Sequence, residues 1–323
     1  MLPDLDQIDE RQFKALTGLT RTAFYQLLPL FSQSYIEIRS EEYNKNIDRR
    51  QRKPGGGQKG RLNTMEKKLF FILYYLKVYP TFDVLGDRFG LDRSKACTNV
   101  HRLLPVLLRA LDKAGVLPAP RYGGPARHFE TVEEMRAAFA GIEALLIDAT
   151  ERPRQRPKDD QAQQEHYSGK KKRHTVKNSV IASLGQRILF LGYTVAGSHH
   201  DYGLLKTEFA PGQDWFATFK VWLDLGYLGF QTDYKTLELH IPHKKPRKSK
   251  ANPRPTLTVE QKTQNREVSR VRIVVENAIC RMKRFRALID LFRNRVATFI
   301  DNVALAAAGL ANWSLSLTQA ATS

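Results

Sequence analysis

Three acidic residues occupy unusual places in a basic chain of 323 residues with a formal net charge of +19. Asp148 closes the apolar segment EALLIDAT, Asp224 lies within FKVWLDLGY, and Glu276 lies within VRIVVENAICRMKRF. A carboxylate at the edge of a buried segment is costly unless a cation or hydrogen-bond donors compensate its charge. The three acids therefore predict a shared metal site.

The overall charge indicates what such a site would act on. The chain has 52 Lys and Arg residues against 33 Asp and Glu residues. This excess is typical of proteins that bind a phosphate backbone, because each neutralised phosphate releases condensed counterions. No apolar stretch is long enough to span a bilayer, and the N-terminal residues lack a signal-peptide pattern. We expect a cytoplasmic, nucleoid-associated protein that binds double-stranded DNA and no membrane.

The acids must be positioned by the elements around them, and the chain begins with helices. Residues 1–43 contain an amphipathic helical stretch in which Thr20 is the expected cap. Residues 44–63 form a basic segment with Gly and Pro residues, which is either a flexible linker or an arm that lies on DNA. The candidate phosphate contacts of this arm are Arg49, Arg50, Arg52, Lys53 and Lys59.

Residues 64–118 have the pattern of a helix-turn-helix. A short helix over TFDVLGDRF is followed by a break at Gly90 and a second helix that we expect Ser94 to cap. In that second helix, apolar residues recur at helical spacing and are expected to face the core. The opposite face would read DNA in the major groove, and its candidate contacts are Lys95, Thr98, Asn99 and Arg102.

The pattern changes after a connector and a helix over residues 119–142. Residues 143–318 read as a strand ending at Asp148, a hairpin, a helix, a strand carrying Asp224, another strand, and a helix from about residue 260 to 292 carrying Glu276. This order is that of a ribonuclease H-like domain. The predicted fold class is therefore α/β, with a mixed sheet flanked by helices and an all-α DNA-binding domain in front of it.

Several unrelated motifs also follow one another in a characteristic order. They are FFILYYLKVYPTFDVLGDRFGLDRSKACTNVHRLLP, IDATERP with YSGKKKRHTVK, AGSHHD, LDLGYLGF and VENAICRMKRF. Together they resemble the DDE transposases of bacterial insertion sequences, in the IS-five family that is related to the Harbinger elements. The resemblance covers most of the chain.

The resemblance implies that Asp148, Asp224 and Glu276 are the metal-binding and catalytic acids. It implies two Mg²⁺ ions, with Mn²⁺ able to substitute, of which Asp148 bridges both. The expected activity is binding to terminal inverted repeats, cleavage of the DNA ends and joining of the 3′ ends to target DNA by a homodimer or larger assembly. Two alternatives stay open: an endonuclease without strand transfer, and a transposase-derived DNA-binding regulator.

Asp201 competes with Asp224 for the role of second acid. It follows two histidines in AGSHHDYGLL, just past a predicted strand, and could instead cap the next helix. The motif DLGY favours Asp224. On the last helix we expect Arg272 and Lys283 to lie on the flank of Glu276, where they could orient a scissile phosphate or form exposed ion pairs.

Two further basic runs, SGKKKRH and HKKPRKSK, are expected at loop ends near the acids. Solvated loop tips are one interpretation of such runs. The other is that they guide DNA phosphates inward and offset the repulsion from the acids. The candidate contacts are Lys170, Lys171, Lys172, Arg173, His174, Lys244 and Lys245.

Overall fold

The computed structural model describes residues 5–45, 60–119, 128–250, 253–294 and 296–320. The five basic residues predicted between Arg49 and Lys59 lie outside these ranges. The chain divides into two compact units, one comprising Met1–Leu117 with Met282–Ser323 and the other Pro118–Arg281. By its contacts the last helix groups with the first unit. The assignment of residues 143–318 to one catalytic domain stays a prediction.

The described part of the first unit is helical. Its α-helices are α1 (Glu10–Thr17), α2 (Arg21–Asn44), α3 (Met65–Val78), α4 (Phe82–Phe89), α5 (Arg93–Lys113) and α11 (Ala297–Ala320). Phe13 and Phe24 are fully buried and meet edge to face with ring centroids 5.3 Å apart. The indole of Trp313 on α11 donates a 3.0 Å hydrogen bond to the Ala23 carbonyl, which ties the C-terminal helix to α2. No described helix is long and apolar enough to cross a membrane.

The helix-turn-helix is formed by α4, a turn and α5. Gly90 ends α4 with φ +63°, a left-handed conformation that glycine adopts without steric cost. The residue that caps α5 is Asp92, whose carboxylate accepts a 2.8 Å hydrogen bond from the Lys95 amide. The prediction that Ser94 caps this helix is wrong, because α5 starts one residue earlier at Arg93. The predicted cap of α2, Thr20, is confirmed by its bond to the Ala23 amide.

The second unit is built on a mixed sheet. Its strands are β1 (Ala144–Pro153), β2 (Tyr167–Ser168), β3 (Arg173–Ala182), β4 (Ile188–Leu191), β5 (Val195–Ala196), β6 (Lys220–Trp222) and β7 (Glu238–His240). The order is β2-β3-β1-β6-β7, with β4 and β5 also pairing with β3. β1 runs antiparallel to β3 and parallel to β6.

Helices flank this sheet. They are α6 (Val132–Ala138), α7 (Asp160–His166), α8 (Asp201–Glu208), α9 (Phe230–Asp233) and α10 (Val259–Met282). Buried side chains of α6 and α8, including Met135 and Leu205, join residues of β1, β3 and β6 in one hydrophobic core. The mixed sheet and its helices confirm the predicted ribonuclease H-like class.

Three predicted boundaries are wrong. β1 does not end at Asp148, because β3 pairs with it from Leu146 to Pro153 and holds the strand extended for five more residues. Asp224 lies beyond the short β6 and caps a 3₁₀ turn over Leu225–Tyr227. α10 ends at Met282 and not near residue 292, so Lys283 is outside the helix.

Glu208, the last residue of α8, carries a buried carboxyl group in the second unit. Its two oxygens are shielded from solvent and have no hydrogen bond of good geometry within the described part of the chain. The nearby Ser179 hydroxyl lowers the pKa of Glu208, although the two groups do not form a hydrogen bond of good geometry. Burial dominates and raises the pKa of Glu208 to about 8.

We expect Glu208→Gln to stabilise the protein increasingly above about pH 5. In the unfolded chain Glu208 loses its proton at about pH 4.3, whereas in the folded protein it keeps the proton until about pH 8. The parent therefore loses unfolding free energy across this window, and the neutral amide does not. The difference should reach about 4 to 5 kcal/mol at about pH 8, measured by urea unfolding at about pH 5 and about pH 8.

Glu267→Gln is the matched control, because Glu267 is exposed on α10. It should shift the unfolding free energy little and equally at both pH values. A Glu208→Gln variant with the same pH dependence as the parent would contradict a protonated Glu208 in the folded state.

Candidate active site and nucleic-acid interface

Two of the three predicted acids converge on one arginine. Arg272 lies on α10, and its Nη2 is 3.9 Å from Asp148 Oδ2 on β1 and 3.9 Å from Asp224 Oδ2 after β6. The parallel pairing of β1 and β6 explains why the two acids meet, since both strands deliver them at the same edge. The guanidinium compensates two carboxylates that are largely withdrawn from solvent, with side chains 18% and 32% exposed.

Backbone amides fix the orientation of both acids. The Ala149 amide donates a 2.8 Å hydrogen bond to Asp148 Oδ1, and the Gly226 amide donates a 2.7 Å bond to Asp224 Oδ1. A side chain at position 226 would displace the Asp224 carboxylate, because an ideal Cβ there would lie 2.8 Å from Asp224 Oδ1. In each acid one oxygen is thus bound by the backbone, and the other faces Arg272.

Asp148 is the most electrostatically perturbed acid of the site. Its pKa is raised to about 6, mainly by burial and to a smaller extent by the charges of Asp224 and Asp201. The Ala149 amide and Arg272 act in the opposite direction. An additional cation beside this carboxylate would stabilise its charged form.

Glu276 is not drawn into the same group. It lies on α10 four residues, or about one turn, after Arg272, and its side chain is exposed. Within the described ranges, no group of three or more His, Cys, Asp and Glu side chains is placed to hold a metal ion. The structure therefore unites Asp148, Asp224 and Arg272, and leaves Glu276 nearby in the helix but outside that contact.

Asp201 lies close to Asp224. It is the first residue of α8, and the helix cap is His200, so the expectation that Asp201 itself caps this helix is wrong. Its Oδ1 is 2.7 Å from Lys177 Nζ on β3, and Lys177 also lies 3.4 Å from Glu151 Oε1. Neither Lys177 nor Glu151 was predicted from the sequence. The available signal was a lysine inside the apolar run HTVKNSVI.

The comparison with known proteins agrees with this architecture. The family described as DDE superfamily endonuclease matches residues 147–312, and the helix-turn-helix of DDE superfamily endonuclease matches residues 60–112. The chain belongs to the DDE superfamily. A probable transposase for insertion sequence element IS702 from Microchaete diplosiphon is 30% identical over 312 residues, which cover 96% of this chain and 97% of that protein. No solved structure shows a significant match to this DDE protein.

The matches confirm the prediction of an insertion-sequence DDE transposase with a helix-turn-helix and an endonuclease domain. DDE endonucleases use divalent metal ions, which require suitable ligand atoms. Asp148 and Asp224 offer carboxylate oxygens, which Mg²⁺ and similar hard cations prefer. Both face one common positive group, the Arg272 guanidinium. These two residues fit a divalent cation.

The helix-turn-helix of this DDE transposase presents its predicted DNA-reading face. Ala96, Val100, Leu103 and Leu107 are buried as predicted. On the opposite side Lys95, Thr98 and Arg102 are exposed, whereas Asn99 is half-buried. Lys95 Nζ is 2.8 Å from Asp92 Oδ2, and the Asn99 amide donates to the Lys95 carbonyl. Lys95, Thr98 and Arg102 are thus the accessible members of the four, and Lys95 is paired with Asp92.

The basic runs occupy exposed positions in the second unit. Lys170, Lys171 and Lys172 form the turn between β2 and β3, Arg173 opens β3, and His174 is half-buried. Asp148 pairs with Val180, seven residues further along β3, which corresponds to roughly 23 Å. This turn is therefore not beside the acids as the sequence suggested. Lys244 and Lys245 are exposed in the irregular segment after β7.

We expect Asp148→Asn to stabilise the protein when metal is removed by a chelator. The unfolded carboxyl ionises near about pH 3.9, but the folded one resists ionisation up to about pH 6. The parent loses stability through that window, so the variant should gain about 2 kcal/mol of unfolding free energy at about pH 7.5. Urea denaturation with chelator measures this difference.

The control is Asp233→Asn, which should have the opposite sign. Asp233 accepts hydrogen bonds from Tyr202 and Lys206, and the Tyr202 bond lowers its pKa. Its charge is therefore favourable in the folded state, and the variant should be less stable. Destabilisation by Asp148→Asn of similar size would contradict a charge on Asp148 that is unfavourable in the folded state.

Thr98→Ala and Arg102→Ala should each weaken binding to the element's terminal DNA by about tenfold and reduce its preference over random DNA. Lys113→Ala, in the last turn of α5 where Lys113 pairs with Glu37, is the control and should change neither. Fluorescence anisotropy at several salt concentrations measures both effects. Equal losses on terminal and random DNA would assign these side chains to phosphate contacts only.

Proposed function

We propose that this transposase binds the terminal inverted repeats of its insertion sequence, cleaves the DNA ends by divalent-metal-dependent hydrolysis and joins the freed 3′ ends to target DNA. The observation that carries the proposal is the convergence of Asp148 and Asp224 on Arg272. The similarity to a probable insertion-sequence transposase along nearly the whole chain supports the same function.

In this proposal the three acids hold the cation site. Asp148 and Asp224 bind through the oxygens that now face Arg272, and Glu276 on the adjoining turn of α10 supplies the third carboxylate. Mg²⁺, or Mn²⁺ in its place, would activate the attacking oxygen and stabilise the leaving 3′ oxygen when two ions are bound. The protein must then also orient the scissile phosphate and bind the DNA.

The protein's own contribution is orientation and charge compensation. Arg272 lies between two acids, and its guanidinium fork suits a phosphodiester oxygen as well as a carboxylate. We infer that it turns toward the scissile phosphate when cations neutralise Asp148 and Asp224. No covalent protein intermediate is needed, because water and then the 3′ hydroxyl attack phosphorus directly.

The protein must also bind the DNA at positions distant from the acids. The exposed turn of Lys170, Lys171, Lys172 and Arg173 lies roughly 23 Å along β3 from the level of Asp148. Lys244, Lys245 and Lys283 are further candidate contacts in irregular segments. We propose that these residues bind the backbone of terminal or target DNA in the bacterial cytoplasm, within a homodimer or larger assembly that pairs two ends.

We expect Asp148→Ala and Asp224→Ala to retain binding to labelled terminal DNA and to lose at least about a hundredfold in cleavage with Mg²⁺. The reason is that each variant removes a ligand of the proposed cation. Gel analysis separates bound, cleaved and strand-transfer products in one reaction. Cleavage that persists in both variants would overturn the site.

Glu276→Ala tests the third acid, and Glu267→Ala is its matched control because both side chains are exposed on α10. Only Glu276→Ala should reduce cleavage, again by at least about a hundredfold. Cleavage by the parent without joining would favour an endonuclease that lacks strand transfer. Binding without cleavage would favour a DNA-binding regulator.

A further inference from the structure

Lys177 is a buried lysine with an unusual set of neighbours. Its side chain is only 7% exposed, although β3 is otherwise rich in apolar and neutral residues around it. The ammonium donates a 2.6 Å hydrogen bond to the His199 carbonyl and a 2.7 Å bond to Asp201 Oδ1, and it lies 3.4 Å from Glu151 Oε1. A buried ammonium needs such compensation, and here three oxygens provide it.

The partner acids of Lys177 come from two different places. Glu151 lies directly opposite it in the β1–β3 ladder, and the Thr175 hydroxyl donates a 3.2 Å hydrogen bond to Glu151 Oε2. Asp201 comes from the first turn of α8. Lys177 therefore links the start of α8 to the sheet strand that carries Asp148.

The two oxygens of Asp201 have different surroundings. Oδ1 is bound by Lys177. Oδ2 faces the turn of Asp224, since an ideal Cβ on Gly226 would lie 3.6 Å from Asp201 Oδ2 and 2.8 Å from Asp224 Oδ1. The Asp201 side chain is 27% exposed, so water reaches it. One carboxylate thus has an anchored oxygen and a second oxygen that lies beside the turn carrying Asp224.

Electrostatics make the anchor necessary. Asp201 carries the same charge as Asp148 and Asp224 and is close enough to Asp148 to act on it through space. A flexible carboxylate in that position would turn outward to solvent to escape the repulsion. Lys177 opposes this movement, because losing Asp201 would leave the buried ammonium with only Glu151 and the His199 carbonyl as partners.

We propose that Lys177 and Asp201 are positioning residues of the cation site, in which Lys177 fixes Asp201 Oδ1 so that Oδ2 accepts hydrogen bonds from the water shell of a divalent cation held by Asp148 and Asp224. The inference rests on the proposed function of those two acids. Asp201 is assigned to the outer shell, because Lys177 already binds its Oδ1.

The test is direct Mn²⁺ binding to the full chain without DNA, measured from the electron paramagnetic resonance signal of free Mn²⁺. Asp201→Asn should weaken Mn²⁺ binding about tenfold, which is typical for the loss of an outer-shell partner. Asp233→Asn is the matched control, since Asp233 is 29% exposed and paired with Lys206 much as Asp201 is paired with Lys177. It should leave Mn²⁺ affinity unchanged.

Substitutions of Lys177 test whether it acts through Asp201. Lys177→Arg keeps the positive charge and should retain most of the affinity, whereas Lys177→Met should lose about as much as Asp201→Asn. The double variant should lose no more than either single variant, because both remove the same contact. If Lys177→Met does not fold, Asp201→Asn and Lys177→Arg decide the outcome.

Two results would overturn the proposal. One is an Asp201→Asn variant that binds Mn²⁺ as tightly as Asp233→Asn. The other is a loss of binding as complete as in Asp148→Ala, because Asp201 would then be a direct ligand. Failure of the proposed function is recognised separately, as a parent chain that binds Mn²⁺ but does not cut its terminal DNA.

Discussion

The ion contacts of Arg272 connect the parts of the second unit that matter most for chemistry. A single guanidinium on α10 lies 3.9 Å from an acid on β1 and 3.9 Å from an acid after β6. Each of these acids also accepts a hydrogen bond from a backbone amide, so neither can move without losing that bond. Attraction between opposite charges thereby holds α10, β1 and the turn after β6 together.

Such an arrangement favours function over stability. Burial already disfavours the charge on Asp148, and two further carboxylates lie near it. Hydrophobic residues of similar size would pack there with less electrostatic penalty. The fold tolerates the acids because the large aromatic core beneath the sheet, with Phe190, Phe209 and Phe216 almost fully buried, supplies the cohesion.

Much of the fold and part of the site could be predicted from the sequence. Apolar periodicity located α5 and its buried face, and the order of strands and helices identified the ribonuclease H-like class. The ends of elements were less predictable, because they depend on distant pairing: β3 extends β1 past Asp148, and nothing within EALLIDAT encodes that partner. Lys177 was missed for the same reason, since its acids, Glu151 and Asp201, are 26 residues before it and 24 residues after it.

The chain order of the two compact units has a consequence for biosynthesis. The second unit is continuous, from Pro118 to Arg281, whereas the first combines residues up to Leu117 with residues from Met282 onward. The indole of Trp313 donates a hydrogen bond to the carbonyl of Ala23, 290 residues earlier in the chain. During translation the sheet-bearing unit can therefore fold while the ribosome is still adding residues, but the helical unit completes its core only once α11 has emerged. A nascent chain thus holds an unfinished helical unit until α11 has been synthesised.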